Sequence, residues 1–252
     1  MSASSAGYPV LTFASLDSTN NEARRRAEAG EGGPLWITTA EQTAGKGRRG
    51  RQWSLGPGDL AATLLITTSR PEPAQVSFVA ALAVGDLVRG YVPPSLVAYK
   101  WPNDVLLDGG KVSGILIESG RAPAGGLWLG VGIGVNLVNQ PGDVERPAAA
   151  IASHLRHGAP VPPSAEDALE QLSRSFARWF GLWEADGFAP IREAWLAGAT
   201  GIGKPCVARL DRETVQGVAE GLDMDGVLIM RLEGGELRRI AAGDVFFPQG
   251  QA

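Results

Sequence analysis

The sequence predicts an α+β fold in which a large mixed domain is followed by a small domain of strands. Three observations support this prediction. Strand-like and helix-like periodicities both occur before residue 200, whereas short strands separated by turn residues follow it. The third is size, since 252 residues with 44% hydrophobic content can bury one sizeable core and a smaller one. We place the two domains at residues 1–200 and 201–252.

A capped helix is the first element that local signals assign. Thr19 and Glu22 have the spacing of a capping box and Gly30 supplies a stop, so a helix is expected over residues 19–29. Strands and a helix surround it, which predicts a mixed α and β arrangement. These neighbours are strands at residues 9–13, 35–41 and 60–68 and a buried helix at residues 73–89.

A hairpin with polar ends is predicted after a strand at residues 97–101. The apolar runs 105–107 and 112–117 are separated by Asp-Gly-Gly at residues 108–110, a composition that supplies the positive φ of tight turns. Pro102 fixes its own φ, so the residues after it follow a rigid corner. The polar side chains that this hairpin is expected to position are Asn103, Asp104 and Lys111.

A glycine-rich strand is expected over residues 127–137. It lies in the uncharged stretch 122–142, which is long enough in principle to cross a bilayer. The stretch also contains Pro, Asn and Gln residues and alternating glycines, which suit a buried strand approached closely by a ligand or another backbone. We therefore expect no membrane span.

An amphipathic helix is predicted from a cap at Ser164 and Asp167 through Trp183, because large apolar residues recur there at helical spacing. A shorter helix at residues 191–197 is expected to end the large domain. Beyond it, regularly spaced short strands with Asp, Gly and Glu between them predict a small barrel.

A cationic loop stands out in a chain whose net charge is −4. Residues 43–53 contain three glycines among four cations, a composition that favours a mobile lid gripping an anion. A nucleic-acid-binding module that stacks bases on Trp53 and Trp101 is the alternative from another class. The acidic balance and the lack of a continuous basic stripe oppose it. The four cations are Lys46, Arg48, Arg49 and Arg51.

Four motifs in one order give the chain a family resemblance. They are Asp-Ser-Thr-Asn at residues 17–20, Gly-Lys-Gly-Arg-Arg-Gly-Arg-Gln-Trp at 45–53, Lys-Trp-Pro-Asn-Asp at 100–104 with Lys-Val-Ser-Gly-Ile-Leu-Ile-Glu at 111–118, and Gly-Ile-Gly-Val-Asn at 132–136. The chain resembles biotin protein ligases, in the form without an N-terminal DNA-binding domain. The resemblance implies a mixed-sheet catalytic domain of the biotin and lipoate ligase type, followed by an SH3-like C-terminal domain.

The resemblance implies a ligase that uses ATP and biotin as substrates, with Mg²⁺ accompanying ATP. Biotin would be activated as biotinyl-5′-AMP and then transferred to a lysine of the biotin carboxyl carrier domain of a carboxylase. Lipoate or octanoate attachment is the alternative within the same fold. The cationic glycine loop and residues 100–104 favour biotin.

The resemblance also implies the site residues. Lys111 and Arg48 are the expected catalytic cations, and Asp104 is the candidate magnesium contact. Arg49 is expected either to contact biotin or to face solvent. The biotin-binding residues are expected to be Ser18, Thr19, Asn20, Gln42, Gly45, Arg48, Arg49, Arg51, Lys111 and Gly114. The residues binding ATP or the adenylate are expected to be Arg48, Arg51, Trp53, Asn103, Lys111 and Asn136.

Two departures from the family pattern and the features that the chain lacks complete the expectations. Lys46 stands where many relatives have arginine, and residues 147–151 lack the aromatic residue that covers adenine in some relatives. No helix-turn-helix precedes Asp17, so no DNA partner is expected. The single cysteine, Cys206, and residues 1–7 without signal-peptide character indicate a cytoplasmic protein. A homodimer through a sheet edge stays open, because such an edge leaves no distinctive pattern.

Overall fold

The computed structural model describes residues 4–5, 8–142, 147–158 and 161–247. Residues 1–7, predicted to lack signal-peptide character, therefore lie largely outside the described residues. The last five residues of the predicted second domain lie wholly outside them. The elements are, in order, β1 (Ser4–Ser5), β2 (Tyr8–Leu16), α1 (Thr19–Glu28), β3 (Leu35–Gln42), β4 (Leu60–Thr68), α2 (Val76–Arg89), β5 (Val97–Lys100), β6 (Asp104–Leu107), β7 (Gly110–Arg121), β8 (Leu127–Val135), α3 (Ala165–Asp186), α4 (Phe188–Ala197), β9 (Pro205–Arg209), β10 (Thr214–Leu222), β11 (Leu228–Arg231), β12 (Leu237–Ile240) and β13 (Asp244–Phe246).

Within the described residues, eight strands form a mixed sheet in the order β1-β2-β3-β4-β8-β7-β6-β5. Only the β2–β3 pair among them is parallel. Residues alternate between faces, so Ile37 and Leu65 pack against Ala23 of α1 on one side. Trp36 and Leu64 belong to the larger core with α2, α3 and α4 on the other. The predicted α+β class with a mixed sheet is confirmed.

The strands after residue 205 form a second, antiparallel sheet in the order β12-β11-β10-β9-β13. This agrees with the expected small β-domain. Its buried residues, including Cys206 and Met230, belong to the same continuous core as α2. Trp101 also donates from Nε1 to the Gly226 carbonyl oxygen across 3.0 Å. The boundary near residue 200 stays a prediction.

The two helix caps had different outcomes. Ser164 accepts from the Asp167 backbone N–H at 3.1 Å, so the predicted cap of α3 is confirmed. The capping box of α1 was wrong. Ser18 is the N-cap, and its backbone N–H donates to Asp17 Oδ1 at 2.8 Å. The Glu22 carboxylate turns to arginines of the next helical turn instead.

Element boundaries shifted where local chemistry allows more than one reading. Residues 73–75 form a 3₁₀ turn before α2 begins at Val76. Helix α4 begins three residues earlier than expected, because Pro190 is tolerated in a first helical turn. The hairpin turn has positive φ at Asp108 and Gly109, as its composition predicts, while Gly110 already belongs to β7.

The uncharged stretch at residues 122–142 contains strand β8. No helix in the part of the chain that the structure describes is long and apolar enough to cross a membrane. The glycine-rich strand expected over residues 127–137 is thus present as β8.

The Cys206 thiol is predicted to be unreactive in the folded protein. Its residue is 2% exposed, and burial raises the pKa of the thiol above its ordinary value, which lowers the thiolate fraction at neutral pH. A chromogenic disulfide reagent should therefore titrate less than a tenth of the thiol in minutes under native conditions, and one equivalent in guanidinium chloride. Rapid stoichiometric reaction of the native protein would contradict this.

Candidate active site

The floor of the site is a row of glycines on β8. Gly130, Gly132 and Gly134 lie on the face that carries α1, because every second strand residue faces one side. A Cβ at Gly134 would lie 2.3 Å from the Trp53 indole, and one at Gly132 would lie 1.9 Å from Asn20 Oδ1. Both distances are far below van der Waals contact. Glycine therefore allows these two side chains to lie directly on the sheet.

A cavity of about 240 Å³ lies above this floor. It brings together motifs that are far apart in sequence, since the expected site residues line it with two exceptions, Gly45 and Arg49. The expected residues that line it are Ser18, Thr19, Asn20, Gln42, Arg48, Arg51, Trp53, Asn103, Asp104, Lys111, Gly114 and Asn136. This placement groups the residues, while their individual roles stay predictions.

Lys111 is held at the edge of the floor by the hairpin. Its Nζ lies 2.6 Å from Asp104 Oδ1, at the start of the neighbouring strand β6. The same Nζ is 5.7 Å from the ring centroid of Trp53. Its backbone N–H donates to the Pro147 carbonyl oxygen at 2.8 Å, which ties the segment after residue 146 to β7. The ammonium therefore has a fixed place beside the indole.

Arg48 reaches the same cavity from the cationic loop. Its Nη1 donates to Asn103 Oδ1 at 3.1 Å, and Asn103 Nδ2 is bonded to the Ile115 carbonyl oxygen, which fixes the amide. Burial lowers the pKa of Arg48 below its ordinary value, and the carboxylates of Asp244 and Asp104 act in the opposite direction. A guanidinium that has lost part of its hydration is suited to binding an anionic ligand.

The cationic loop has a defined conformation. The backbone N–H of Trp53 donates to the Gly45 carbonyl oxygen at 3.0 Å, and the adjacent residues Lys46 and Gln52 form an antiparallel β-bridge. A Cβ at Gly45 would lie 2.2 Å from the Trp53 carbonyl oxygen, so the closing point requires glycine. Arg49 has a φ of 55°, the left-handed conformation that reverses the chain at the tip.

Two loop arginines are anchored to the second sheet. Arg49 donates to the Arg209 carbonyl oxygen at 3.1 Å and pairs with Asp211 and with Asp244. Arg51 pairs with both carboxylate oxygens of Asp244, whose side chain is only 7% exposed. Arg49 does not line the cavity, and the residue is exposed while it forms these pairs, which agrees with the solvent-facing alternative. Its contact with biotin stays a prediction.

Asn136 acts on the protein backbone in this structure. Its Nδ2 donates to the carbonyl oxygens of Lys111 at 3.3 Å and Ala149 at 3.0 Å. It thus fastens the start of β7 to residues 147–151, whose member Ala148 lines the cavity. The contact of Asn136 with the nucleotide stays a prediction, and the structure shows how it supports Lys111.

Magnesium has no protein cage in the described residues. No group of three or more His, Cys, Asp or Glu side chains in that part of the chain could hold a metal ion. Asp104, the candidate contact, already pairs with Lys111. The donor set therefore does not fit a resident metal ion.

Sequence reasoning missed two residues that shape the site. Thr63 of β4 is completely buried and contacts both Thr19 and Asn20. In the sequence it is one β-branched residue among several in a strand. Asp244 is 193 positions from Arg51, and no local pattern links them. Strand register and tertiary docking carry the information in both cases.

Comparison with known proteins identifies the family. The model of the biotin/lipoate A/B protein ligase family matches residues 12–137, and that of the biotin protein ligase C terminal domain matches residues 201–247. The chain belongs to the biotin protein ligase branch of this family, as the motifs indicated.

Individual relatives agree with the family assignment. A biotin–(acetyl-CoA-carboxylase) ligase from Paracoccus denitrificans is 44% identical over 246 residues, which cover 93% of this chain and 99% of the relative. The enzyme of the same name from Mycobacterium tuberculosis is 30% identical, covering 92% and 86%. A solved biotin protein ligase from Aquifex aeolicus in complex with biotin and ATP has the same fold, with a TM-score of 0.78 at 21% identity over 94% of this chain and 98% of that one.

Asp244→Asn is predicted to loosen the cationic loop. Loss of the carboxylate weakens the charge-assisted bonds to Arg49 and Arg51, and one such bond contributes on the order of 1.5–3 kcal/mol. Limited digestion with trypsin, followed by mass spectrometry, should show cleavage after these arginines at least about tenfold faster than in the wild type.

Asp211→Asn is the matched control, because Asp211 also pairs with Arg49 but its side chain is 86% exposed. It should accelerate cleavage much less, since exposed ion pairs contribute little. Equal digestion of wild type and a folded Asp244→Asn protein would show that Asp244 does not hold the loop.

Proposed function

We propose that this chain activates biotin with ATP as biotinyl-5′-AMP and transfers the biotinyl group to a lysine of a biotin carboxyl carrier domain. The observation that carries the proposal is that the Lys111 ammonium and the Arg48 guanidinium meet at one glycine-floored cavity. The names of the relatives support it, since the Paracoccus protein is called a biotin–(acetyl-CoA-carboxylase) ligase. A biotin-dependent carboxylase is the proposed source of the carrier domain.

In the first step, an oxygen of the biotin carboxylate attacks the α-phosphorus of ATP, and the bond to the β-phosphate oxygen breaks to release pyrophosphate. Two anions repel each other strongly in a partly dry cavity. Lys111 and Arg48 offer fixed positive charge at the place where they would meet, which lowers the barrier by electrostatic stabilisation. The carboxylate is already ionised at neutral pH, so this step needs no general base.

In the second step, the neutral amine of the carrier lysine attacks the acyl carbon, and the bond to the phosphate oxygen breaks to release AMP. The mixed anhydride must be kept from water until then. The cationic loop closes the cavity by the contacts of Arg48 with Asn103 and of Arg49 and Arg51 with Asp244. We propose that ligand binding orders this loop further.

Mg²⁺ enters the proposal only as a counterion of the ATP phosphates. Oxygen ligands from phosphates and water satisfy this ion without a protein cage, in keeping with the donor set described above. The functions assigned to Lys111 and Arg48 do not depend on it. The cytoplasmic location, the homodimer and the domain boundary also stay predictions.

The two alternative functions are less well supported. A nucleic-acid-binding module needs a basic face free for phosphates, whereas Arg49 and Arg51 pair with carboxylates of the second sheet. Lipoate and octanoate have no hydrogen-bonding head group, whereas Ser18, Thr19 and Gln42 place hydroxyl and amide groups at the cavity wall. Those groups favour the cyclic urea of biotin.

The test is incubation with ATP, labelled biotin and a biotin carboxyl carrier domain. The wild type should release pyrophosphate and label one lysine of the carrier, and it should do neither with lipoate at the same concentration. Absence of both products with biotin would refute the proposed function.

Lys111→Ala is predicted to slow adenylate formation by about 100-fold or more, because it removes one charge-stabilising donor from the reacting centre. Pyrophosphate release in a single-turnover assay measures the effect. Lys204→Ala, which changes an exposed lysine outside the cavity, is the control and should match the wild type. Normal pyrophosphate release by a folded Lys111→Ala protein would contradict the assigned role.

A further inference from the structure

A buried chain of hydrogen bonds lies behind the cavity wall. Thr63 of β4 has no exposed surface, and its Oγ1 is 2.8 Å from Thr19 Oγ1 and 2.8 Å from Asn20 Oδ1. Thr63 does not line the cavity, whereas Thr19 and Asn20 do. It therefore acts on a ligand only through its neighbours.

The orientation of the Asn20 amide is fixed by acceptors on β7. Its Nδ2 lies 3.3 Å from the Leu116 carbonyl oxygen and 3.1 Å from Glu118 Oε2, and Arg24 forms an ion pair with Glu118. A carbonyl oxygen can only accept, so the NH₂ group must face β7. The Asn20 carbonyl oxygen must then face Thr63.

The register of the sheet makes this bridge possible. Thr63, Gly132 and Leu116 are cross-strand neighbours on β4, β8 and β7. Asn20 lies over Gly132, where a Cβ would displace it, and so spans from one outer strand to the other. The glycine therefore connects Thr63 to the acceptors on β7.

The direction of each proton follows. A threonine hydroxyl has one proton, and the Thr63 proton must go to Asn20 Oδ1, which can only accept. At the contact between Thr63 and Thr19, the Thr63 oxygen therefore accepts and the Thr19 hydroxyl donates. The other acceptor near Thr19, Gln42 Oε1, is farther away at 3.3 Å and already receives the Thr19 backbone N–H at 3.0 Å.

We propose that Thr63 is a positioning residue that makes Thr19 Oγ1 a hydrogen-bond acceptor towards the ligand. With its proton turned inwards, Thr19 presents lone pairs to the cavity. Gln42 turns its amide oxygen to Thr19 and hence its NH₂ group away from it. One acceptor and one donor complement a cyclic urea, which has N–H groups and a carbonyl oxygen.

This inference rests on the proposed function and concerns its specificity. A ligand head without an N–H group, such as a dithiolane ring or an alkyl end, would cover the Thr19 lone pairs and leave them without a donor. Sites built to hydrogen-bond a polar group reject analogues lacking it, because the buried partner is left unpaired. The hydroxyl of Thr63 thus contributes to the choice of biotin over lipoate or octanoate.

Thr63→Val tests the proposal, because valine keeps the shape of threonine but cannot hydrogen-bond. Freed of its acceptor, the Thr19 proton can turn to the cavity and compete with the N–H groups of biotin. We expect the KM for biotin in pyrophosphate release to rise about tenfold, with kcat and the KM for ATP changed less than about twofold. The preference for biotin over lipoate in kcat/KM should fall by about the same factor.

Two further variants separate positioning from general damage. Thr63→Ser restores the hydroxyl and should recover most of the affinity for biotin. Thr67→Val makes the same change at an exposed position of the same strand and should behave as the wild type. If Thr63→Val does not fold, Thr63→Ala and calorimetric binding of biotin alone give the same comparison, with about tenfold weaker binding expected.

The outcomes are distinct. An unchanged KM for biotin in a folded Thr63→Val protein would overturn the inference, as would equal losses for biotin and ATP or a failure of Thr63→Ser to restore binding. A wild-type protein that releases no pyrophosphate with biotin would instead refute the proposed function. The selective loss for biotin, with recovery by serine, supports the inference.

Discussion

The site depends on two side chains that lie directly on strand β8, at positions where the strand has glycine. Gly132 and Gly134 leave room that Asn20 and Trp53 fill, and a single methyl group at either position would overlap them. Because Trp53 lies on the sheet, the Lys111 ammonium can stand beside its ring. Because Asn20 lies on the sheet, it can span three strands. The cavity follows from these absent Cβ atoms.

The cavity is lined by positive side chains although the chain as a whole is negatively charged. The molecule has a net charge of −4, yet cations from two distant segments converge on one cavity. The loop arginines differ in whether a carboxylate neutralises them. Asp244 pairs with Arg49 and Arg51 and holds the loop, whereas Arg48 is oriented by the neutral amide of Asn103. A guanidinium bound to an amide keeps its net charge for an incoming anion.

Sequence reasoning succeeded where the chemistry is local. Glycine and cation spacing gave the loop at residues 45–53, and turn composition gave the hairpin that presents Lys111. It failed where a distant contact replaced a local one, because the Thr19 backbone N–H, which a capping box would give to Glu22, donates to Gln42 Oε1. It could not reach Thr63, whose importance depends on its register with Gly132. Nor could it reach Asp244, which meets the loop only after the second sheet docks.

The anchoring of the loop on β13 has a consequence for how such enzymes change in evolution. The second sheet contributes to the cavity, because Asp244 of β13 is one of its lining residues. If the second sheet were exchanged between relatives, the cationic loop that it anchors would change its geometry, and the cavity would change with it. Selection is expected to treat the two parts as one inherited unit, with covariation between the position of Asp244 and those of Arg49 and Arg51.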